Sequence, residues 1–324
     1  MTYHYPRASN PLNNSLQHYS AAFSKLNRGY VSGQRAPHKP VLLLAVIDSI
    51  EAGEVFENRI YSTPELVARF KDVWSRYVDS EVFSPNFTNP FYHLTGDRFW
   101  HLQTRTSEAA RLTSSRSPKS FSGLQAWVEY AYLDEPLFKL LVQPDTREVL
   151  RAVLLQMYFF GKSGAQTGYI ATVEQQILHE NSVVYRQLAI GLDEEEVISR
   201  SAVFKRVVPR VYNYTCCVSG MRLISTTSVQ MVDACHIVPF AESYDDTIAN
   251  GLSLCPNLHR AFDRGLFRID EEYRVRLSGV FTEAECLYTL RSFEGKPILL
   301  PEQKHWWPGK DNLAAHSERW QSNF

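Results

Sequence analysis

The sequence predicts an α+β protein of two domains. Three observations carry this. The chain has 324 residues, and at roughly 150 residues per domain that is more than one compact core usually holds. Helix-start signals are interspersed with short runs that read as hairpin strands. The character of the sequence changes at the loop from Gly161 to Gly168. These observations place one domain at residues 1–165, a helical linker at 166–196 and a second domain at 197–324.

The elements follow in order. Residues 13–30 read as a helix running into the loop Arg28-Gly29-Tyr30 through Gly33. Val41–Glu51 is a helix with Pro40 near its first turn and Gly53 past its end. It is apolar nearly all round, which predicts a central buried helix. Thr63 is placed to N-cap a helix over Glu65–Tyr77, with Pro64 at its first position. The stretch Pro90–Leu102 alternates around Gly96-Asp97 and predicts a hairpin, Phe91–Leu94 against Phe99–Leu102. Helices are expected at 121–133, from Asp145 to Phe160, and over 170–190. An acidic run, Asp193 to Glu196, precedes a stretch from Val197 to Val232 with no acidic residue, in which Arg200, Lys205, Arg206, Arg210 and Arg222 are basic. Helix–strand–strand–helix signals continue through residue 266.

Composition excludes several classes. Apolar residues make up 44% and charged residues 21%, which argues against disorder or a fibrous architecture. Lys+Arg (34) balances Asp+Glu (35), so bulk charge cannot hold a polyanion, whereas local basic patches still can. The longest aliphatic run, Val41–Ile47, falls far short of the roughly 20 residues that span a bilayer. The first thirty residues are polar and mixed, without the pattern of a signal peptide. The five cysteines are odd in number, two are adjacent, and no C-x-x-C occurs. A disulfide framework and a zinc ribbon are therefore not expected, and a reducing, cytoplasmic setting is.

Three polar elements between residues 233 and 263 carry the chemistry. Asp233-Ala-Cys235-His236-Ile-Val-Pro239 reads as a strand ending at Pro239. Asn250-Gly251 is a turn signal that begins a second strand through Cys255. Pro256 opens a helix on which His259 and Asp263 share one face, one turn apart. That face can chelate a cation, and His236 on the facing strand is expected to point at the same spot. Hydrolysis of a phosphodiester needs a base that is neutral near pH 7, which suits imidazole. It also needs a divalent cation to offset charge on the phosphorane and the leaving oxygen.

This order and spacing resemble the HNH (ββα-metal) nucleases of the pattern D-A-x-H-I-x-P, N-G-L-x-L-C, H-x-A-F-D-x-G-L. The residues in register are Asp233, His236, Pro239, Asn250, Gly251, His259, Phe262, Asp263 and Gly265. The resemblance implies His236 as general base, Asn250 as the structural Asn of the catalytic motif, and His259 and Asp263 as ligands of a divalent ion, Mg²⁺ or Mn²⁺. Many such sites carry an Asp or His ligand just before the base. Here Cys235 stands there, and Asp233 is the candidate third ligand if a bulge turns it inward.

The N-terminal half contains Ala36-Pro37-His38-Lys39-Pro40, then Asn89-Pro90-Phe91-Tyr92-His93-Leu94, then Phe99-Trp100-His101-Leu102. In order and separation these resemble the sulfur-binding domain of restriction endonucleases that recognise phosphorothioate DNA. The resemblance implies a mixed α/β reader with His38, Lys39, Asn89, Pro90, His93 and Arg105 as DNA or sulfur contacts. Sulfur is larger and more weakly hydrated than the oxygen it replaces, so an apolar cup suits it. Pro90 offers ring carbons and no N–H. His38 and Lys39, at a helix N-terminus, are expected to hold the remaining anionic oxygen. Arg105, Arg111, Arg116 and Lys119, with only Glu108 opposing them, are expected to meet flanking phosphates or bases. Phe91, Phe99 and Trp100 are expected in the core.

The expected protein is therefore a modification-dependent, metal-requiring DNA endonuclease acting on double-stranded DNA. A homodimer is expected for double-strand cleavage. A nuclease reading another mark or an unmodified sequence, and a non-cutting DNA sensor, stand as alternatives.

Overall fold

The computed structural model describes residues 11–105, 117–162, 167–225, 230–286 and 288–324. The chain divides into two compact units, Met1–Ile170 and Ala171–Phe324. The expected linker, 166–196, is largely helical, and from Ala171 onward it belongs to the second unit. Among the described residues no helix is long and apolar enough to cross a membrane.

The first unit runs α1 (Pro11–Ser24), β1 (Tyr30–Val31), β2 (Gln34–Arg35), α2 (His38–Glu51), α3 (Pro64–Tyr77), α4 (Thr88–His93), β3 (Trp100–Thr104), α5 (Phe121–Trp127), β4 (Val128–Leu133), α6 (Glu135–Val142) and α7 (Pro144–Phe159). Its core forms around α2, which packs against α3, α4, α6 and α7. Val41 to Ile47 are all buried, as the unbroken aliphatic run predicts. The cap of α3 forms as expected: Thr63 Oγ1 accepts from the Leu66 amide at 3.2 Å, with Pro64 in the first turn.

Two expectations fail here. The first is the hairpin of Phe91–Leu94 with Phe99–Leu102. Residues 88–93 are helical, and β3 pairs antiparallel with β4 instead, Trp100 opposite Leu133. Phe87, Phe91 and Leu94 recur at helical spacing and are all fully buried, so helical burial outweighs the weak alternation. Asn86 Oδ1 accepts from the Asn89 amide at 2.9 Å and helps start the turn. The second is the helix over 121–133, which stops at Trp127. From there Val128, Ala131 and Leu133 are buried while Glu129 and Tyr132 are exposed, giving β4 an inner face. Phe91, Phe99 and Trp100 do lie in the core.

The second unit contains α8 (Tyr169–His179) from Ala171 on, α9 (Ser182–Ala189), α10 (Glu194–Val211), β5 (Asp233–His236), α11 (Phe240–Ser243), β6 (Gly251–Leu254), α12 (Pro256–Asp263), β7 (Phe267–Ile269), β8 (Val275–Leu277) and α13 (Lys310–Arg319). Strands β5 and β6 are antiparallel, with Asp233 opposite Leu254 and His236 opposite Gly251. Helices α10 and α12 both pack on this pair. Two glycines permit the packing. A Cβ on Gly251 would sit 2.7 Å from Val208 of α10. At Gly265 the backbone takes φ +61°, and a Cβ would lie 2.4 Å from the Trp320 ring. All five cysteines are free; Cys216, Cys217, Cys235 and Cys255 are buried, and Cys286 is exposed.

Candidate functional site

The second unit holds a cavity of about 470 Å³ whose walls include His236, His259 and Asp263. The β5–β6 pair supplies His236, and α12 supplies the other two. All three groups that the spacing assigns to one place line this cavity. Facing them on α10 are Ser201, Phe204 and Lys205; His316, Arg319 and Trp320 close another side.

His236 is held from two directions. Its ring stacks on Phe204, centroids 4.0 Å apart and planes at 4°. Its Nε2 lies 2.8 Å from Asp246 Oδ1. A carboxylate oxygen only accepts, so Nε2 carries the hydrogen, and in the neutral ring the lone pair is on Nδ1. Asp246 is 1% exposed. Tyr185 donates to its other oxygen at 3.5 Å, and Arg200 Nε donates to Tyr185 at 2.9 Å. Burial pushes the Tyr185 hydroxyl pKa well up, with the Asp246 charge adding to it, so this phenol stays a donor. The sequence reading missed Phe204, Tyr185 and Asp246. The paired acids Asp245-Asp246 just before Asn250 were the available signal.

Asn250 is fully buried and does not line the cavity. Its Nδ2 donates to Val238 O at 2.8 Å and to Asp245 O at 2.9 Å, and its Oδ1 accepts from the Val238 amide at 2.9 Å. It staples the loop that connects β5 to β6, and that loop carries Asp246.

On α12, His259 faces a carboxylate from each nitrogen. Nδ1 lies 3.3 Å from Asp233 Oδ2, and Nε2 lies 3.5 Å from Asp263 Oδ2. Donor atoms of Cys235, His259 and Asp263 fall within 4.8 Å of one another. Asp233 is placed differently from the expectation. The register of β5 has no bulge, and the Asp233 carboxylate lies outside that converging set. Strand alternation puts Asp233 and Cys235 on the same face, with Cys235 Sγ 3.8 Å from Asp263 Oδ1. Burial pushes the Cys235 thiol pKa well up, with the Asp263 charge adding to it. Sulfur is a soft donor that suits a hard cation poorly, whereas imidazole and carboxylate suit one better. The set fits a divalent ion best through His259 and Asp263. An Asp233 carboxylate on Nδ1 would hold the ring in the tautomer that frees Nε2.

His316 secures the end of α12. Its Nε2 donates to Phe262 O at 3.2 Å, and its ring stacks on Phe262 at 3.8 Å. Burial lowers its pKa to about 4, so the ring is neutral at pH 7 and serves as a spacer beside Asp263.

The first unit holds a cavity of about 770 Å³ lined by His38, Lys39, Asn89, Pro90 and His93, with Phe83 and Tyr92 among the other walls. Five of the six residues named from the sequence as DNA or sulfur contacts thus line one cavity. Arg105 does not line it. Arg105 is exposed at the end of β3, and its Nε donates to Gln125 O at 2.9 Å. Lys119 is also exposed and outside the cavity. Glu108, Arg111 and Arg116 lie outside the described residues.

The charges here differ from the expectation. Lys39 Nζ lies 2.6 Å from Asp97 Oδ2, and Asp97 Oδ1 accepts from the Asn27 amide at 2.6 Å. Lys39 is therefore neutralised within the wall. His38 donates from Nε2 to Ser84 O at 2.9 Å and packs on Trp74. Burial lowers the pKa of His38; burial and then the Lys39 charge lower that of His93. Neutral imidazoles carry no charge for an anion. The cavity is a nearly charge-balanced, partly aromatic recess with the buried Pro90 ring in its wall.

Family models match a segment of each unit. Residues 17–166 match the family model of the ScoMcrA-like DNA sulfur-binding domain, and residues 216–270 match that of an HNH endonuclease. No curated protein matches the chain. Two solved structures share local similarity. One is the sulfur-binding domain of ScoMcrA complexed with phosphorothioated DNA, at 25% identity and a TM-score of 0.35, covering 44% of this chain and 87% of that one. The other is the modification-dependent TagI restriction endonuclease, at 22% identity and a TM-score of 0.28, covering 37% of this chain and only 38% of that one. The chain thus spans well under half the length of TagI. On the family matches, with the two constellations falling inside them, this chain joins a DNA sulfur-binding domain to an HNH endonuclease domain.

Proposed function

We propose that the protein is a modification-dependent restriction endonuclease that binds phosphorothioate DNA through its first unit and hydrolyses phosphodiester bonds nearby through its second. The observation that carries the cutting half is the cavity in which His236, backed by Asp246, shares walls with the His259–Asp263 pair. His259 and Asp263 would hold a divalent ion, Mg²⁺ or Mn²⁺ in this reading, which would offset the negative charge that develops on the phosphoryl group and leaving oxygen. His236 Nδ1 accepts the proton of the attacking water, and Asp246 stabilises the imidazolium that results. Asp233 orients His259, and Asn250 orients the loop behind His236. Each chain brings one such cavity among its described residues and cuts one strand at a time, so double-strand cleavage calls for a homodimer. Action on DNA and free cysteines fit a cytoplasmic protein.

The reading half rests on a recess without net charge. A thiophosphate sulfur loses less hydration there than an oxygen does, and the amides of His38 and Lys39, which open α2 ahead of Pro40, are the ones left for the anionic oxygen. Affinity for matched duplexes with and without a single sulfur tests this. The modified duplex is expected to bind at least about tenfold more tightly, a difference of about 1.4 kcal/mol. Equal affinity rejects the sulfur reading. Pro90→Gly is expected to lower that ratio by more than it lowers affinity for the unmodified duplex, because it removes ring carbons from the wall. Unchanged selectivity removes Pro90 from the site.

A further inference from the structure

The basic residues of the acid-free stretch 197–232 divide sharply by what they touch. Arg200 is buried and donates to Tyr185 and, at 2.6 Å, to Gln176. Arg206 and Arg210 both turn to Glu174. Arg222 donates to Asn213 Oδ1 at 2.9 Å. Lys205 is different. It is exposed, and it lines the cavity with Ser201 and Phe204, one helical turn and one residue before it on α10. The other cation of these walls, Arg319, is engaged by Glu242 at 2.6 Å. Among the described residues Lys205 is the cavity cation that no carboxylate neutralises.

An unneutralised ammonium lining the same cavity as His236 and the His259–Asp263 pair suits an anionic substrate. The His236 side supplies a lone pair, and the α12 side presents donors that a metal ion would occupy. Neither gives a direct donor to the phosphorus-bound oxygens, whereas a flexible four-carbon stem with three rotatable N–H groups does.

We propose that Lys205 contacts a non-bridging oxygen of the phosphodiester that is cut and stabilises the charge that grows there as water adds. This rests on the nuclease reading of the cavity. In the step itself the water oxygen bonds to phosphorus and its proton passes to His236, while the P–O3′ bond breaks, its electron pair leaves with the 3′ oxygen, and that oxygen takes a proton from solvent water. Lys205 exchanges no proton and offers only N–H donors and charge.

The test is single-turnover cleavage by the full chain of a phosphorothioate duplex with Mn²⁺. Lys205→Gln is expected to slow cleavage by about 10²-fold, the loss typical of one transition-state donor. Affinity for the duplex, set by the first unit, and melting temperature are expected to hold. Lys205→Arg, which keeps the charge, is expected to recover most of the rate. Arg206→Gln is expected to cut like the wild type, since its guanidinium turns to Glu174. Wild-type cleavage with an indifferent Lys205→Gln, or with Lys205→Arg as slow as Lys205→Gln, overturns this assignment alone. A wild type that cuts no duplex overturns the nuclease reading and this assignment with it.

Discussion

His236→Ala is expected to lower the single-turnover cleavage rate by about 10²- to 10⁴-fold, the usual worth of a positioned general base. DNA affinity is expected to change little, because the charge-balanced cavity around Pro90 belongs to the other unit. Alanine also has a structural effect. It strips Phe204 of its stacked ring and leaves Asp246 with Tyr185 as its remaining hydrogen-bond donor from this cluster. An unsatisfied buried acceptor costs about 1–3 kcal/mol, so a melting curve belongs beside the rate. His236→Gln offers an amide donor to Asp246 and no base, which separates the two effects. If either variant cuts at more than about a tenth of the wild-type rate, His236 is not the base, since general-base catalysis is worth at least about 10²-fold.

The second large effect is expected from Asp246→Asn. The carboxylate fixes the Nε2–H form of His236, so Nδ1 is always the free nitrogen. An amide can pair with either tautomer and cannot stabilise the imidazolium that forms. A loss of about 10²-fold or more follows, by the same logic that makes the buried carboxylate of a catalytic triad matter. The loss should not add to that of His236→Ala, because both act through one ring. Two measurements check it: the double variant should be no slower than His236→Ala, and nitrogen NMR of His236 should show a single tautomer in the wild type and a mixture in Asp246→Asn. A single tautomer in both, with an unchanged rate, would leave Asp246 as a packing residue.

The parts legible in the sequence were those set by local rules. The aliphatic run at Val41–Ile47 marks the core helix, and the Thr63-Pro64 pair marks the start of α3. The i,i+4 spacing of His259 and Asp263 and the turn at Asn250-Gly251 place α12 against β5 and β6. What stayed hidden was non-local or competing. Strand β3 pairs with β4 across about thirty residues, and nothing near Trp100 names that partner. Residues 88–94 carry both an alternating and a helical pattern, and burial of Phe87, Phe91 and Leu94 selects the helix.

The site shows the same division. Motif spacing placed His236, His259 and Asp263 on one cavity, but the residues that hold His236 come from elsewhere: Phe204 from α10 and Asp246 from the connecting loop, with Tyr185 of α9 behind it. Spacing also could not tell Asp233 from Cys235, since both lie on one face of β5. Nor does composition show that Lys39 is neutralised by Asp97 or that burial keeps His38 uncharged. In the first unit five residues named from the sequence line one cavity, and the charge expected of Lys39 is offset by Asp97.

Sulfur-licensed cutting is tested most directly by digesting paired plasmids from otherwise identical hosts, one phosphorothioate-modified and one not, with Mg²⁺ or Mn²⁺ present. The modified plasmid is expected to be cut near its marks and the unmodified one left intact. Equal digestion of the two, or no digestion of either, would contradict the account.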